Sequence, residues 1–484
     1  MNSINQILEE VLIGIIPTNQ ELDLINELVD NLRLLLEKKA HELGIEFTRI
    51  EPQGSTGIKQ TQLKNDFDID LFIGLNYDLY SQKYVGLSKN KLKKASKKDF
   101  LDLCNTWIIK SLALKEFHNP RLLYAEHPYV TVDYITDNKK LKIDIVLYFD
   151  IDSNYIKENG PITAVDRSPW HGRFIRDNLN KNQKNDVRLL KQFFKACHSY
   201  GDKSAIGKIG FIGYSAELLI HHFGNIKKVF ENFGKLYEVP IDFHGREKRD
   251  LLKIIHFQND YLIITDPVDR NRNVASAISE KAYKYCNQRI KDFIKNPNKN
   301  IFTIYPIPEQ DVTNHDNLRL SNIFVIELKN NNKNVHYTIN RDKLYSLGEY
   351  IKANGEREFS HAERFGKIEF EVYFEDEIDN YNVALYCQKP VISKTFARKG
   401  PPVKETSHVV KFKKKNPNFK EKDNYLWVES QREYINFLKF VKDIVKNKIQ
   451  ENLEIINISE AFNVKTTSGK RTIYILKNMI LPNI

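Results

Sequence analysis

Leu24, Ile25, Leu28, Val29, Leu32, Leu35 and Leu36 recur at helical spacing behind Pro17-Thr18-Asn19, and Gly44 closes the run. A start signal, an apolar stripe of period 3.6 and a terminal glycine predict one amphipathic helix packed on a sheet. The next apolar stretch, residues 45–50, reads as a strand leading into the small-residue turn Gly54-Ser55. Residues 69–75 are apolar and β-prone. Residues 141–149 alternate, with Leu141, Ile143 and Ile145 on one face and Asp144 on the other. Helix-like and strand-like segments alternate as far as Asp150, predicting an α/β head over residues 1–151.

From Asp152 to Asn296 the pattern turns mainly helical. Val187, Leu190, Phe194 and Cys197 make one apolar face, and residues 216–223 begin another helix that Gly224 can cap. Residues 152–296 are expected to form a helical second domain, ending at a linker, Pro297-Asn298-Lys299-Asn300. Residues 301–307, 323–328 and 367–374 then read as strands and residues 434–449 as a helix. Gly400-Pro401-Pro402 and the lysine-rich residues 411–422 read as irregular connections. Residues 297–484 are thus an α+β body and tail, and the chain as a whole is multidomain α/β and α+β. It has no internal repeat.

Composition narrows the function less than patterning narrows the fold. The 484 residues suffice for about three domains. The formal charge of +11 and pI near 9.0 suit a polyphosphate or nucleic-acid partner without demanding one. Cys104, Cys197, Cys286 and Cys387 are widely separated, which argues against a zinc or redox motif and for free thiols in a reducing compartment. Glu9 and Glu10 precede the apolar residues 11–16, where a secretory signal would carry basic residues, and no apolar run approaches a membrane span. A cytoplasmic protein with no membrane partner is expected.

The chemistry is written in Asp68-Ile69-Asp70 behind Gly54-Ser55. On a strand, residues two apart share a face, so Asp68 and Asp70 are expected to point together, with Asp144 completing the group from a second strand. Adjacent carboxylates repel unless a cation sits between them. Mg²⁺ suits such oxygens, and a metal pair about 3.5–4 Å apart can activate a hydroxyl and stabilise a leaving oxygen. With the small-residue turn as a phosphate grip, the reading is nucleotidyl transfer. Solvated strand-end aspartates are the plain alternative, strongest for Asp144.

Further blocks carry a family resemblance. Ala125-Glu126-His127-Pro128-Tyr129-Val130, Asp166-Arg167-Ser168-Pro169-Trp170-His171 and Asn185-Asp186-Val187-Arg188-Leu189-Leu190-Lys191 follow the Asp-x-Asp element. After them come residues 210–219 (GFIGYSAELL), Asp266-Pro267-Val268-Asp269 and Arg272-Asn273-Val274-Ala275, with weaker likeness at Arg398-Lys399-Gly400-Pro401-Pro402. In that order the chain resembles the archaeal-type, class I CCA-adding tRNA nucleotidyltransferases of the polymerase-β-like superfamily. The bacterial and eukaryotic enzymes carry a paired-glycine element, and this chain has no Gly-Gly. The spacing from Ser55 to Asp68 is one residue longer than the family's, implying a loop insertion.

The resemblance implies a polymerase-β-like nucleotidyltransferase head and a Mg²⁺-dependent enzyme that adds or repairs the 3′ CCA of tRNA from CTP and ATP. Asp68, Asp70 and Asp144 would be both metal ligands and catalytic residues. Gly54, Ser55, Lys59, Ser168, His171, Lys191 and Tyr200 would contact the nucleotide. Lys59 takes that place by aligning Thr61 with the family's threonine. Arg272 would select the base, from a loop leading into a helix whose N-terminus gathers Arg270 and Arg272; its alternative is a loop arginine paired with Asp266 or Asp269. By residue type alone, Lys191 would be a charge on a solvated helix face and Tyr200 half-buried core. A homodimer is compatible with the resemblance. Two lysine runs, residues 89–98 and 411–422, are candidate RNA contacts, the second favoured by its interleaved Phe412 and Phe419. Another terminal or cyclising nucleotidyltransferase, or a noncatalytic RNA-binding protein on the same scaffold, are the competing functions.

Overall fold

The structure, a computed structural model, describes residues 4–66, 68–113, 116–124, 127–135, 140–313, 320–375 and 379–483. Ala125 and Glu126 of the resemblance blocks lie outside them, as does the side chain of Lys89 in the first lysine run. Contacts divide the chain into two compact units. One comprises residues 1–200, 211–278 and 289–303; the other comprises 201–210, 279–288 and 304–484. The expected head and most of the expected helical segment therefore pack together in the first unit.

The first unit is built on a five-stranded sheet of β1 (Arg49–Gln53), β2 (Ile69–Leu75), β3 (Phe117–Tyr124), β4 (Pro128–Ile135) and β5 (Lys140–Phe149), in the order β1-β2-β5-β4-β3. β2 and β5 are parallel and the other pairs antiparallel. The predicted first amphipathic helix is present as Asn19–Leu43. A Thr18/Glu21 capping box starts it, and Gly44 ends it at φ +65°, a left-handed conformation that glycine adopts without strain. Its Leu28, Leu32 and Leu36 pack with Ile69, Leu71, Ile73, Ile143, Ile145 and Leu147. The odd residues of β2 and β5 thus face the helices and the even ones face away. That period of two delivers Asp70 and Asp144 to the open face.

The expected strand at residues 45–50 begins later, at Arg49, because Ile45 N–H is taken by the carbonyl of Ala40 in the helix cap. Asp166 joins sheet to site: its Oδ1 accepts from Phe149 N–H at 2.9 Å, and the helix Ser168–Asn178 starts just after it. The helices Lys181–Ala196 and Gly213–Phe223 complete the layer, and Gly224 caps the latter as expected.

Residues 261–264 form no strand. Ile264 makes only an isolated bridge to Ile241. The helix expected after Arg272 starts too late for its N-terminus to gather Arg270 and Arg272. Asp266, Asp269 and Asn273 accept backbone N–H groups from Val268, Asn271 and Ala275, which binds the segment into turns, and the next helix starts at Glu280.

The second unit has a four-stranded antiparallel sheet in the order β12-β6-β8-β7, from β6 (Ile323–Asn330), β7 (Ile368–Glu375), β8 (Asn380–Cys387) and β12 (Leu453–Glu460). Phe324, Ile326 and Leu328 pack on one face with the helices Tyr337–Glu356 and Phe437–Lys448. Ile323 and Val325 face Ile473, Ile475 and Leu476 on the other. A separate sheet joins β9 (Thr395–Pro402), β10 (Lys420–Lys422) and β11 (Tyr425–Gln431).

Three expectations fail in this region. Gly400-Pro401-Pro402 are not an irregular connection: they end β9, whose pairing with β11 carries them into the sheet. Residues 301–307 are not a strand: Lys299–Phe302 is a 3₁₀ turn, and Pro306 and Pro308 lack the N–H a ladder needs. Residues 411–422 are not irregular but contribute to the helix Thr406–Lys415 and to β10. That helix is held by buried Val409, and by Phe412, whose ring lies against Gly400 and 5.4 Å from the Arg398 guanidinium.

Candidate active site

Asp70 of β2 pairs with Asp144 of β5 in parallel register, and Gln53 of β1 is the antiparallel partner of Asp70. A cavity of ≈ 400 Å³ opens over this face. Of the expected site residues, Gly54, Lys59, Asp70, Asp144, Ser168 and His171 line it, together with Gln53, His127 and Tyr129. Gly54 has φ +69°, and a Cβ there would lie 2.3 Å from Asp70 Oδ2, so the turn approaches the carboxylate as closely as only glycine permits. Ser55, Asp68, Lys191, Tyr200 and Arg272 do not line the cavity. Asp68 is exposed and precedes β2 by one residue instead of sharing its pleat.

The carboxylates are electrostatically strained in the way a cation would relieve. Burial, reinforced by Asp144 and then Asp68, pushes the Asp70 carboxyl up to about 7. Asp144 Oδ2 takes Lys142 Nζ at 2.7 Å, whereas among the described residues its buried Oδ1 has no hydrogen-bond partner. Among the described residues no three His, Cys, Asp or Glu side chains are drawn together as a metal-holding group. The oxygen donors of Asp70 and the unpartnered Oδ1 of Asp144 nevertheless fit a hard divalent ion, with Asp68 close enough to add its charge.

Cations flank the carboxylates in a buried network. Lys59 Nζ donates to Glu217 Oε2 at 2.8 Å and stands 4.7 Å over the Tyr214 ring. Lys191, far from solvated, donates to Thr61 Oγ1 at 2.8 Å and lies 3.4 Å from Glu217 Oε1. Arg188 donates to the carbonyls of Gln60 and Gln62, so the helix Lys181–Ala196 grips the loop that carries Lys59.

On the other side, His171 Nε2 meets Asp266 Oδ2 at 2.7 Å, and its ring stacks on Tyr214 at 4.2 Å. Burial holds this imidazole below its usual range although Asp266 opposes the shift. Arg272 pairs with the same carboxylate at 2.9 Å. Ser55 helps close the turn, its carbonyl accepting from Thr61 N–H at 2.9 Å. Tyr200 is half-buried with Lys195 Nζ 5.3 Å from its ring. His127, buried and depressed to about 4 by that burial, bonds the Leu147 carbonyl at 3.1 Å.

Sequence reasoning missed Glu217 and the organising role of Asp266. Glu217 sits in the apolar run GFIGYSAELL. A lone acid in such a run is a signal, since a buried carboxylate needs a cation. Of the three groups that Asp266 holds, Arg272 is the partner that the loop-arginine alternative named, whereas His171 and the Tyr214 hydroxyl at 3.2 Å are remote in sequence.

A mixed sheet with paired acidic side chains on its open face, a glycine turn against one of them and buried cations alongside suit the chemistry of a nucleotidyltransferase. Such enzymes depend in general on divalent metal. Residues 185–303 match the family model "tRNA nucleotidyltransferase, second domain". Over 480 residues, 97% of this chain and 95% of the relative, the sequence is 28% identical to a CCA-adding enzyme of Methanocaldococcus jannaschii. A CCA-adding enzyme of Sulfolobus acidocaldarius is 28% identical over 446 residues, 90% of this chain and 91% of that one. One of Saccharolobus solfataricus is 34% identical over 294 residues, 61% of this chain and 60% of that one. Over nearly its whole length the chain is thus similar to CCA-adding enzymes, and residues 185–303 are similar to the second domain of tRNA nucleotidyltransferases. Among the described residues no helix is long and apolar enough to cross a membrane.

Proposed function

We propose that this protein adds, without a template, the 3′-terminal CCA of tRNA from CTP and ATP, and repairs it when shortened. The observation that carries the reading is the lateral pair Asp70 and Asp144 on the floor of a cavity whose rim combines the Gly54 turn with Lys59, Ser168 and His171. Residues 1–151 serve as catalytic head, 152–296 as nucleotide-binding neck and 297–484 as tRNA-binding body, in the cytoplasm.

Asp68, Asp70 and Asp144 would hold Mg²⁺, which when bound neutralises the triphosphate and favours the ionised form of the attacking hydroxyl. In the reaction the tRNA 3′-oxygen bonds to the α-phosphorus, the bond from that phosphorus to the bridging oxygen of the β-phosphate breaks, and pyrophosphate leaves. Asp144, whose Oδ2 is fixed by Lys142, helps to take up the hydroxyl proton. Gly54 and Ser55 leave room for the phosphates; Lys59 and Lys191 meet their charge. Tyr200, Ser168 and His171 orient the nucleotide, and Arg272 discriminates the base.

Purified protein incubated with tRNAs ending before, within and after CCA, each with single nucleotides, tests this. Two cytidines, one adenosine and then arrest are expected. Sustained poly(A) or poly(U) synthesis, or no transfer at all, would refute it.

A further inference from the structure

The buried charges around Glu217 do not balance. Its Oε2 takes Lys59 Nζ at 2.8 Å, and its Oε1 takes Thr61 Oγ1 at 2.7 Å and lies 3.4 Å from Lys191 Nζ. Lys191 also donates to Thr61 Oγ1 at 2.8 Å, so a relay runs from ammonium to hydroxyl to carboxylate. The side chains of Glu217 and Lys191 are 1% and 3% exposed, and that of Lys59 is 11% exposed. Two ammonium groups thus share one carboxylate in an interior where an uncompensated charge is costly. An incoming anion at the cavity that Lys59 lines would remove the excess.

The loop that presents Lys59 cannot hold it in place by regular structure. It runs through turns from Gly54, with Gln60 at φ +55° and Asn65 at φ +58°. Glu217, by contrast, stands on the helix Gly213–Phe223, whose Ala216, Leu218 and Leu219 are fully buried. A carboxylate on a packed helix can position a side chain that is carried by a turn.

Building on the nucleotide-binding roles proposed for Lys59 and Lys191, we infer that Glu217 is a positioning residue for the triphosphate. It aims both lysines, keeps Lys191 protonated before substrate arrives, and leaves the two ammonium groups one positive charge beyond its own carboxylate for the phosphates. The groups facing Lys191 are Glu217 from the helix Gly213–Phe223, Lys59 and Thr61 from the loop, Arg188 from its own helix, and the Tyr200 phenol beside Glu217. Burial draws the Lys191 ammonium down to about 8, Glu217 opposes that fall, and Lys59 and Arg188 add to it.

The test is Glu217→Gln, with KM for CTP and kcat measured separately on tRNA lacking CCA from pH 7 to 9, where the triphosphate is fully ionised. In the wild type KM rises as Lys191 loses its proton, near pH 8. In Glu217→Gln nothing opposes burial, and the rise begins lower by about one pH unit or more, with kcat changing much less than KM. A KM profile parallel to the wild type, or a loss confined to kcat, overturns the inference. Should circular dichroism show Glu217→Gln unfolded, Lys191→Arg carries the test, because a guanidinium stays charged throughout. Loss of the alkaline rise in KM then supports the inference and its persistence overturns it. Absence of any nucleotide transfer by the wild type would instead refute the proposed function, a distinguishable result.

Discussion

Asp70 and Asp144 stand side by side on parallel strands, and among the described residues the buried Oδ1 of Asp144 has no hydrogen-bond partner. A fold that sets two carboxylates together without a protein cation between every oxygen stores repulsion that a divalent ion can discharge. Asp70→Asn or Asp144→Asn should lower nucleotide addition by roughly 10²–10³ or more while tRNA affinity, measured by filter binding, stays near wild type. Robust Mg²⁺-dependent addition by the Asp68/Asp70 double variant would remove these residues from the site.

The same repulsion predicts a pH signature in metal-free protein. Asp70 titrates near 7, above an unfolded carboxyl, so its ionisation costs native-state stability progressively as pH rises from about 4 to about 7. With EDTA present, Asp70→Asn should lack that loss, and its Tm advantage over wild type should grow between pH 5 and pH 8. Added Mg²⁺ should raise the wild-type Tm at pH 8 and do little for the variant. A Tm difference independent of pH would mean that Asp70 is not held against its neighbours.

Gly54→Ala should be among the most damaging single-methyl changes in the chain. The new Cβ would meet Asp70 Oδ2 at 2.3 Å and sit in left-handed backbone, which costs an L-residue roughly 1–2 kcal/mol. We expect a lower Tm together with a loss of addition larger than that destabilisation explains, seen by assaying well below the melting transition. Full activity in folded Gly54→Ala protein would show that the turn can retreat from the carboxylate.

The sheet and its acidic face were legible because period-two and period-3.6 patterns are local. Ile69–Leu75 and the helix Asn19–Leu43 emerged with little or no error at their ends. The errors fall where side chains override the pattern. Asp266, Asp269 and Asn273 bind backbone groups into turns and so delay to Glu280 the helix expected to start beside Arg270 and Arg272, and Pro306 and Pro308 deny pairing to a β-prone run. Lys191 shows the limit most clearly. Its charge suggested a solvated face, but it is buried because Glu217, on another helix, and Thr61, in a distant loop, answer it. No spacing rule reports a partner brought in by tertiary folding.

Arg272 has two roles to be separated, since its guanidinium is tied to Asp266 at 2.9 Å yet remains partly exposed. If it reads the incoming base, Arg272→Ala should raise misincorporation between CTP and ATP at the three steps more than it weakens tRNA binding, because a planar guanidinium can donate to a base edge and a phosphate at once. A lower Tm with unchanged selectivity in the folded fraction would leave Arg272 as a brace for Asp266 and His171.

Lys413, Lys414 and Lys415 are exposed in the last turn of the helix Thr406–Lys415, where cations also suit the helix dipole. Phe419 packs beneath Lys413, with Nζ 4.7 Å from its ring centre, so the basic end is anchored to an aromatic group instead of trailing in solvent. Phosphate contacts supply affinity through counterion release, and these lysines are remote in sequence from the carboxylates. Replacing all three with alanine should weaken tRNA binding, most at low salt, and leave kcat at saturating tRNA unchanged. The slope of log affinity against log salt should become shallower by roughly 0.7–0.9 for each phosphate that the variant no longer neutralises. An unchanged slope with unchanged affinity for full-length tRNA would reduce this helix end to a solvated surface and shift the search for RNA contacts to Lys91, Lys93 and Lys94, which are exposed on the helix Lys89–Leu103.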